Sequence, residues 1–229
     1  MAFDITPLWI SIKTSLTAGV ITFVLGVLCA RLFLYVSGKT KWLLDVVFTL
    51  PLVLPPTVVG FLLLVLCGKN SVLGKLLHSI DVTIIFSWQA TVLAAVVVSF
   101  PLMYRAAKGA LEQVDENLIW AGRTLGMSEW NIFLRIQVPQ AWPGIASGAV
   151  LSFARALGEF GATLMIAGNI PGRTQTIPIA IYFATAAGNM KAAAIWVAVI
   201  TLISCIVLGL MNYLGSKKAP RIRTRASSF

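Results

Sequence analysis

Acidic side chains are scarce in this chain: eight Asp and Glu in 229 residues, against eighteen Lys and Arg. Charged residues make up only 11% of the sequence, where a soluble domain carries about 25%. So few charges cannot cover a water-facing surface, which excludes an ordinary cytosolic enzyme, a disordered chain and a nucleic-acid-binding tail protein. Histidine occurs once, as His78, in a polar loop. The three cysteines, Cys29, Cys67 and Cys205, lie in or at the ends of apolar runs, and an odd number of membrane cysteines points to neither a metal site nor a disulfide. No metal site or resident cofactor is expected. The phosphate-cradling pattern Gly-x-x-x-x-Gly-Lys-Ser/Thr is missing as well, so the chain is not expected to hydrolyse ATP itself. The opening Met-Ala-Phe-Asp lacks a basic n-region, so no cleavable signal peptide is expected.

What is abundant is apolar. The chain is 58% hydrophobic, with a mean hydropathy of +0.89, and reads as an all-α, polytopic membrane protein. A crossing needs about 20 apolar residues. Five runs qualify, near 8–36, 43–67, 89–107, 140–167 and 192–214, in one membrane domain covering 1–229. Pro51, Pro55 and Pro56 should kink the second run and turn it toward protein. Pro101 closes the apolar part of the third. Val72–Leu77 suits a short interfacial helix. Residues 177–187 are too few to cross, and either dip into the membrane or lie on its surface.

Basic residues set the expected orientation. The ends of runs one and three, with Arg31 and Arg105, the segments after them and the tail 215–229 carry twelve Lys and Arg. The opposite side carries Lys13, Lys69, Lys75, Arg173 and Lys191. The positive-inside rule places the richer side in the cytoplasm, with the amino terminus outside and the carboxyl terminus inside. An odd number of spans requires the same split.

The longest polar stretch, 112–139, falls on the cytoplasmic side. Asp115 can cap a helix over about Glu116–Leu125, and Gly126 can end it in a left-handed conformation. Ser128 can cap a second helix to about Gln137, and Pro139 stops that helix or opens span four. Trp130, Phe133, Leu134 and Gln137 share one face of it. Such a helix–glycine–helix hairpin is either an interfacial linker or a docking surface for a cytoplasmic partner.

At this point the sequence resembles a known family. Gly126, nine residues, then Ile136-x-Val138-Pro139 is similar to the cytoplasmic loop of binding-protein-dependent ABC importer permeases. In that family the loop reads Glu-Ala-Ala, three residues, Gly, nine residues, Ile-x-Leu-Pro. Trp120, Ala121 and Gly122 stand at the Glu-Ala-Ala positions, so only the middle residue is kept, and Val138 replaces the leucine. The run 121–126, Ala-Gly-Arg123-Thr-Leu-Gly, resembles the commoner Ala-Ala-Arg-Thr-Leu-Gly. Residues 50–60, 152–162 and 169–178 resemble the molybdate permease group, whose sulfate and tungstate relatives share much of the pattern.

The resemblance implies an importer permease fold of five transmembrane helices with a coupling hairpin. It further implies a second copy of the chain, two cytoplasmic subunits that bind ATP and Mg, a periplasmic molybdate-binding protein and an oxyanion cargo, in the bacterial inner membrane. No nucleic-acid partner is implied. The substrate stays open between molybdate and its sister oxyanions tungstate and sulfate. A channel or structural membrane protein would fit the composition without asking for the hairpin. An intramembrane enzyme lacks a second deep acid or a histidine to pair with Glu159. The coupling residues would be Trp120, Ala121, Gly122, Arg123, Gly126, Ile136 and Pro139. Arg155 and Glu159, four apart in span four, can pair on one helix face, either as a structural pair or as part of the oxyanion path. Thr57, Gly60, Ser152, Gly158, Gly161 and Thr163 are candidate small or hydroxyl positions for a path on the two-fold axis of a homodimer.

Overall fold

A computed structural model describes residues 4–79 and 83–216, all of whose regular elements are helices. The basic tail from 217 and Asp81 lie outside the described residues. The elements in order are α1 (Thr6–Tyr35), α2 (Gly38–Val53), α3 (Pro56–Cys67), α4 (Val72–His78), α5 (Trp88–Glu112), α6 (Glu116–Thr124), α7 (Glu129–Ile132), a π-helical turn (Phe133–Gln137), α8 (Val138–Leu157), α9 (Gly161–Ala167), α10 (Ile177–Ala186) and α11 (Met190–Ser216). Only a helix satisfies its own backbone within one segment of hydrocarbon, which is why apolar runs this long fold this way.

Three helices, α1, α5 and α11, are long and apolar enough to cross a membrane. The count reaches five if each of two bent pairs makes one crossing. Span two is kinked at its prolines, and sharply: α2 and α3 meet at 114° across Leu54-Pro55. Pro56 has no N–H to extend α2, and it opens α3 instead. Leu52 and Val53 are 40% and 81% exposed, whereas Leu54 packs on the α3–α9 core and Pro56 lies against Gly161, so in the single chain this corner faces protein only on one side. Span four is also broken, bending 55° at Gly158-Glu159-Phe160. Pro101 has the opposite effect. It is buried inside α5, which continues past it to Glu112, beyond the boundary expected at 107. A proline within a span persists where neighbouring helices support the freed carbonyl.

The core is α5 wrapped by α1 and α8. Thr14 Oγ1 lies 3.0 Å from Thr91 Oγ1, and Thr22 Oγ1 3.2 Å from Ser99 Oγ, all four buried. Both pairs are 77 residues apart in sequence, so α1 and α5 run parallel, and the chain between them must return across the bundle. Gly144 packs on Ala110 and Gly148 on Ala106, so α8 runs antiparallel to α5. At 2.4 Å from Ala106 Cβ, a side chain at Gly148 would have no room. Aromatic and small residues fill the hairpin end of this core, where Phe33, Tyr104, Ala107, Phe133 and Ile145 are buried together. The ten-residue α10 packs on α1 and α11 through Ile177 and Ala180.

Candidate functional site

Each end of the polar hairpin is built by a local device. Asp115 caps α6 by accepting from Asn117 N at 2.9 Å. At the other end, Met127 N donates to Gly122 O and Gly126 N to Arg123 O. This double closure needs a left-handed residue, and Gly126 supplies it with φ of +73°. Ser128 then caps α7, accepting from Asn131 N at 3.3 Å. Pro139 does not stop the helix. The π turn carries the chain past it: Val138 N reaches back to Phe133 O, and Pro139 sits in the first turn of α8, where its missing N–H costs least.

The two faces of α6 differ in kind. Trp120 is 59% and Leu125 80% exposed, and Ala121 and Arg123 are also open. Gly122 faces the other way. A Cβ there would lie 2.9 Å from Ile136 Cδ1 and 3.1 Å from Ile132 Cγ1. Its smallness therefore lets α6 sit down on the second arm, and it is not part of the open face. Ile136 is the inner partner in that contact. Arg123 grips Glu129 across the hairpin with Nε–Oε1 at 2.7 Å and Nη2–Oε2 at 3.2 Å. This hydrogen-bonded guanidinium holds the Glu129 carboxyl below the usual carboxylate range and raises Arg123 above its own.

Ile132 and Phe133 root the second arm in the core, at 1% and 3% exposure. Trp130 and Leu134, expected on the same buried face, are about half exposed. Trp130 is occupied nonetheless: the Arg31 guanidinium of α1 lies 4.1 Å from its ring and 4.6 Å from that of Phe133. Tyr35 Oη donates to Glu129 Oε2 at 3.2 Å. Arg31, counted in sequence as an orienting charge, is thus a structural contact between α1 and the hairpin. Beside it a cleft of about 340 Å³ opens between α1, the end of α5 and α6, lined by Tyr35, Glu112, Trp120 and Gln137.

The second candidate cluster surrounds the two helix breaks. Arg155 Nη1 lies 2.8 Å from Glu159 Oε2, with the arginine side chain 30% and the glutamate 2% exposed. Glu159 Oε1 accepts from Ala162 N at 2.8 Å, so one buried carboxylate serves both the ion pair and the first turn of α9. Helix α3 lies directly on α9 at this level. A Cβ on Gly60 would stand 2.7 Å from Ala162 Cα, and one on Gly161 3.2 Å from Pro56 Cβ and 3.3 Å from Thr57 Cγ2. The structure therefore gathers Thr57, Gly60, Arg155, Glu159 and Gly161 around one crossing. Thr57 and Gly158 are exposed there. Ser152 and Thr163 are not open: both are enclosed at about 0–1% exposure, and Ser152 Oγ donates to Ala149 O. In this conformation they face the interior of the subunit.

Sequence reading passed over Asp45. It accepts from Lys108 Nζ at 2.8 Å and from Tyr104 Oη at 3.0 Å, tying α2 to α5. Its signal was there, as the one charged residue in the run 43–67. The buried hydroxyls of α1 and α5 were passed over too. Among the described residues no three His, Cys, Asp or Glu side chains gather as metal ligands.

Two broken helix pairs, three long apolar helices and a capped polar hairpin define a polytopic membrane protein of the ABC importer permease fold. Residues 22–219 match the family model described as "Binding-protein-dependent transport system inner membrane component", and the chain belongs to that family. It is 47% identical over 204 residues to the "Putative molybdenum transport system permease protein YvgM" of Bacillus subtilis, covering 89% of this chain and 90% of that protein. To the "Molybdenum transport system permease protein ModB" of Escherichia coli K12 it is 49% identical over 174 residues, 76% of each chain. Among solved structures it resembles the inward-facing MetNI methionine ABC transporter, with a TM-score of 0.75 at 16% identity over 95% of this chain and 97% of that one. A bacterial ABC transporter for alginate import gives 0.74 at 16% identity, over 96% and 81%.

Proposed function

We propose that this chain is the membrane-spanning subunit of an ATP-driven importer that moves molybdate inward by alternating access. The observation that carries the reading is the similarity, along most of the chain, to permease subunits named for molybdenum transport. The hairpin supports the coupling half of it. Its capped helices make a rigid body with an open apolar face at Trp120 and Leu125, suited to a groove on a separate ATPase subunit. In this reading ATP and Mg bind to two such partners. A second copy of the chain completes the path, and an external binding protein delivers the oxyanion. The five crossings are α1, α2–α3, α5, α8–α9 and α11, in a bacterial inner membrane, with the hairpin and the tail cytoplasmic and the amino terminus outside. The exposed Thr57 and Gly158 would border the path. Arg155, partly open beside buried Glu159, would lower the barrier for a passing dianion.

The test is proteoliposome uptake and ATP hydrolysis with donor proteins loaded in turn with molybdate, tungstate and sulfate. Uptake and stimulated hydrolysis greatest with molybdate are expected; preference for tungstate or sulfate would reassign the substrate, and no ATP-dependent uptake of any of the three would end the reading. Gly126→Val forces a β-branched residue into a left-handed turn, at a strain of about 1–2 kcal/mol. It should leave the membrane domain folded while stimulated hydrolysis and uptake fall together. Normal values in that variant would remove the hairpin from the mechanism.

A further inference from the structure

The hairpin is continuous with α5 before it and α8 after it, and it is also fastened to a third helix, α1, that is distant in sequence. The π turn runs straight into α8. The other attachment is to the end of α1, about 95 residues earlier: Arg31 on Trp130 and Phe133, and Tyr35 on Glu129. Glu129 in turn holds Arg123 of α6, so both arms of the hairpin are tied to α1 through one carboxylate. The Arg31 contact is unusual. Its Nε is buried and makes no hydrogen bond, and its guanidinium lies against the ring faces of Trp130 and Phe133, a cation–π contact.

Helix α1 then runs unbroken to the far end of the bundle. There Ser11 Oγ accepts from the backbone N of Ile177, the first residue of α10, at 2.8 Å in a buried contact. From Tyr35 to Ser11 is roughly 36 Å at 1.5 Å per residue. Along that length the hydroxyl pairs Thr14–Thr91 and Thr22–Ser99 lock α1 to the parallel α5. A single stiff rod therefore connects the hairpin to the start of α10 at the opposite face.

We propose that α1 is a second transmission element, and that Arg31 and Tyr35 are the positioning residues that make hairpin displacement move α1 together with α8. This rests on the coupling role proposed above for the hairpin. Without the α1 attachment, ATPase-driven tilting of the hairpin would act directly only on α5 and α8, with which it is continuous, and would reach α1 only through their packing. At the cleft between α1, the end of α5 and α6, the Arg31 and Tyr35 contacts are the direct link from the hairpin to α1.

The experiment uses the complete complex in proteoliposomes, with the variants Arg31→Met, Arg31→Lys, Tyr35→Phe and the pair Arg31→Met/Tyr35→Phe. The readout is the ratio of donor-stimulated to basal ATP hydrolysis, with molybdate uptake per ATP. Arg31→Met and the double variant should assemble and keep basal hydrolysis, while the ratio drops roughly 2- to 30-fold, the span expected for residues on a coupling network. Arg31→Lys, which keeps a cation over the rings, should recover part of it. A merely structural role predicts parallel loss of assembly and basal hydrolysis with uptake per ATP unchanged, and would overturn the proposal. So would full stimulation and uptake in the double variant. The wild-type complex separates the two questions: if it imports no oxyanion, the functional reading fails, whereas the inference fails only when wild-type coupling is intact and the α1 variants match it.

Discussion

Gly60 offers a sharp test of how α3 and α9 fit together, because three atoms would crowd any side chain there. A Cβ would stand 2.7 Å from Ala162 Cα, 2.7 Å from Met165 Cβ and 2.8 Å from Ala162 O. Two of the three are backbone, so no rotamer change relieves them. Carbon contacts are comfortable at about 3.5–4.0 Å, so Gly60→Ala must push the helices apart by roughly 1 Å. Overpacking of this kind costs about 1–3 kcal/mol. Against that, alanine in place of a helical glycine returns about 1 kcal/mol of backbone entropy. The net is a loss near 1 kcal/mol, or about 2–4 °C in melting temperature for a chain of this length. Gly209 in α11 is the control, with nothing within 4 Å of a built Cβ. There only the propensity gain remains, so Gly209→Ala should melt at or slightly above wild type. The assay is thermal unfolding of the purified complex in one detergent, followed by loss of the monodisperse peak. If Gly60→Ala melts as high as Gly209→Ala, the α3–α9 contact is not the backbone-to-backbone packing described, and any argument placing Thr57 and Gly161 beside it fails as well.

Three further outcomes follow from other contacts. Arg155→Met should lose oxyanion uptake while the complex still assembles, measured by uptake beside size-exclusion profiles; loss of the assembly instead would make the Arg155–Glu159 pair a packing device. Asp45→Asn leaves Lys108, whose side chain is 19% exposed, without its counter-charge. With Asp45 itself 40% exposed, the cost should be about 1–2 kcal/mol, below that of a fully buried pair, and Asp45→Asn/Lys108→Gln should recover part of it in the same melting assay. The Glu129 carboxyl is depressed in the folded state by Arg123, so its stabilising contribution is present above its ordinary value of 4.5 and lost as pH falls through the folded value. The melting difference between wild type and Glu129→Gln should therefore hold from pH 5 to 7 and vanish in more acid buffer, and a difference that grew on acidification would have the wrong sign.

What the sequence disclosed was mostly local. Asp115, Ser128 and Gly126 act within four or five residues of themselves, and their capping roles follow from residue type alone. Arg155 and Glu159 meet because four residues is one helical turn. The five apolar runs were visible by length. The shape of two of them was not, because a proline states only that a hydrogen bond is missing. Pro101 and Pro55 are alike in sequence terms, and one is carried through a buried helix while the other stands at a 114° corner. The difference is made by what packs around each, which no window of sequence contains.

Smallness has the same ambiguity. Gly60, Gly122, Gly158 and Gly161 all read as positions where something can approach closely. For Gly158 the approach is open, for Gly60 and Gly161 it is taken by another helix, and for Gly122 by the opposite arm of its own hairpin. Charge is ambiguous in turn. Arg31 satisfies the positive-inside count equally well whether it faces lipid headgroups or the rings of Trp130 and Phe133, and only the second arrangement ties α1 to the hairpin. Contacts such as Tyr35 with Glu129, 94 residues apart, are where coupling has to be looked for. Residues that join elements so far apart in sequence carry no local signature beyond being able to pair.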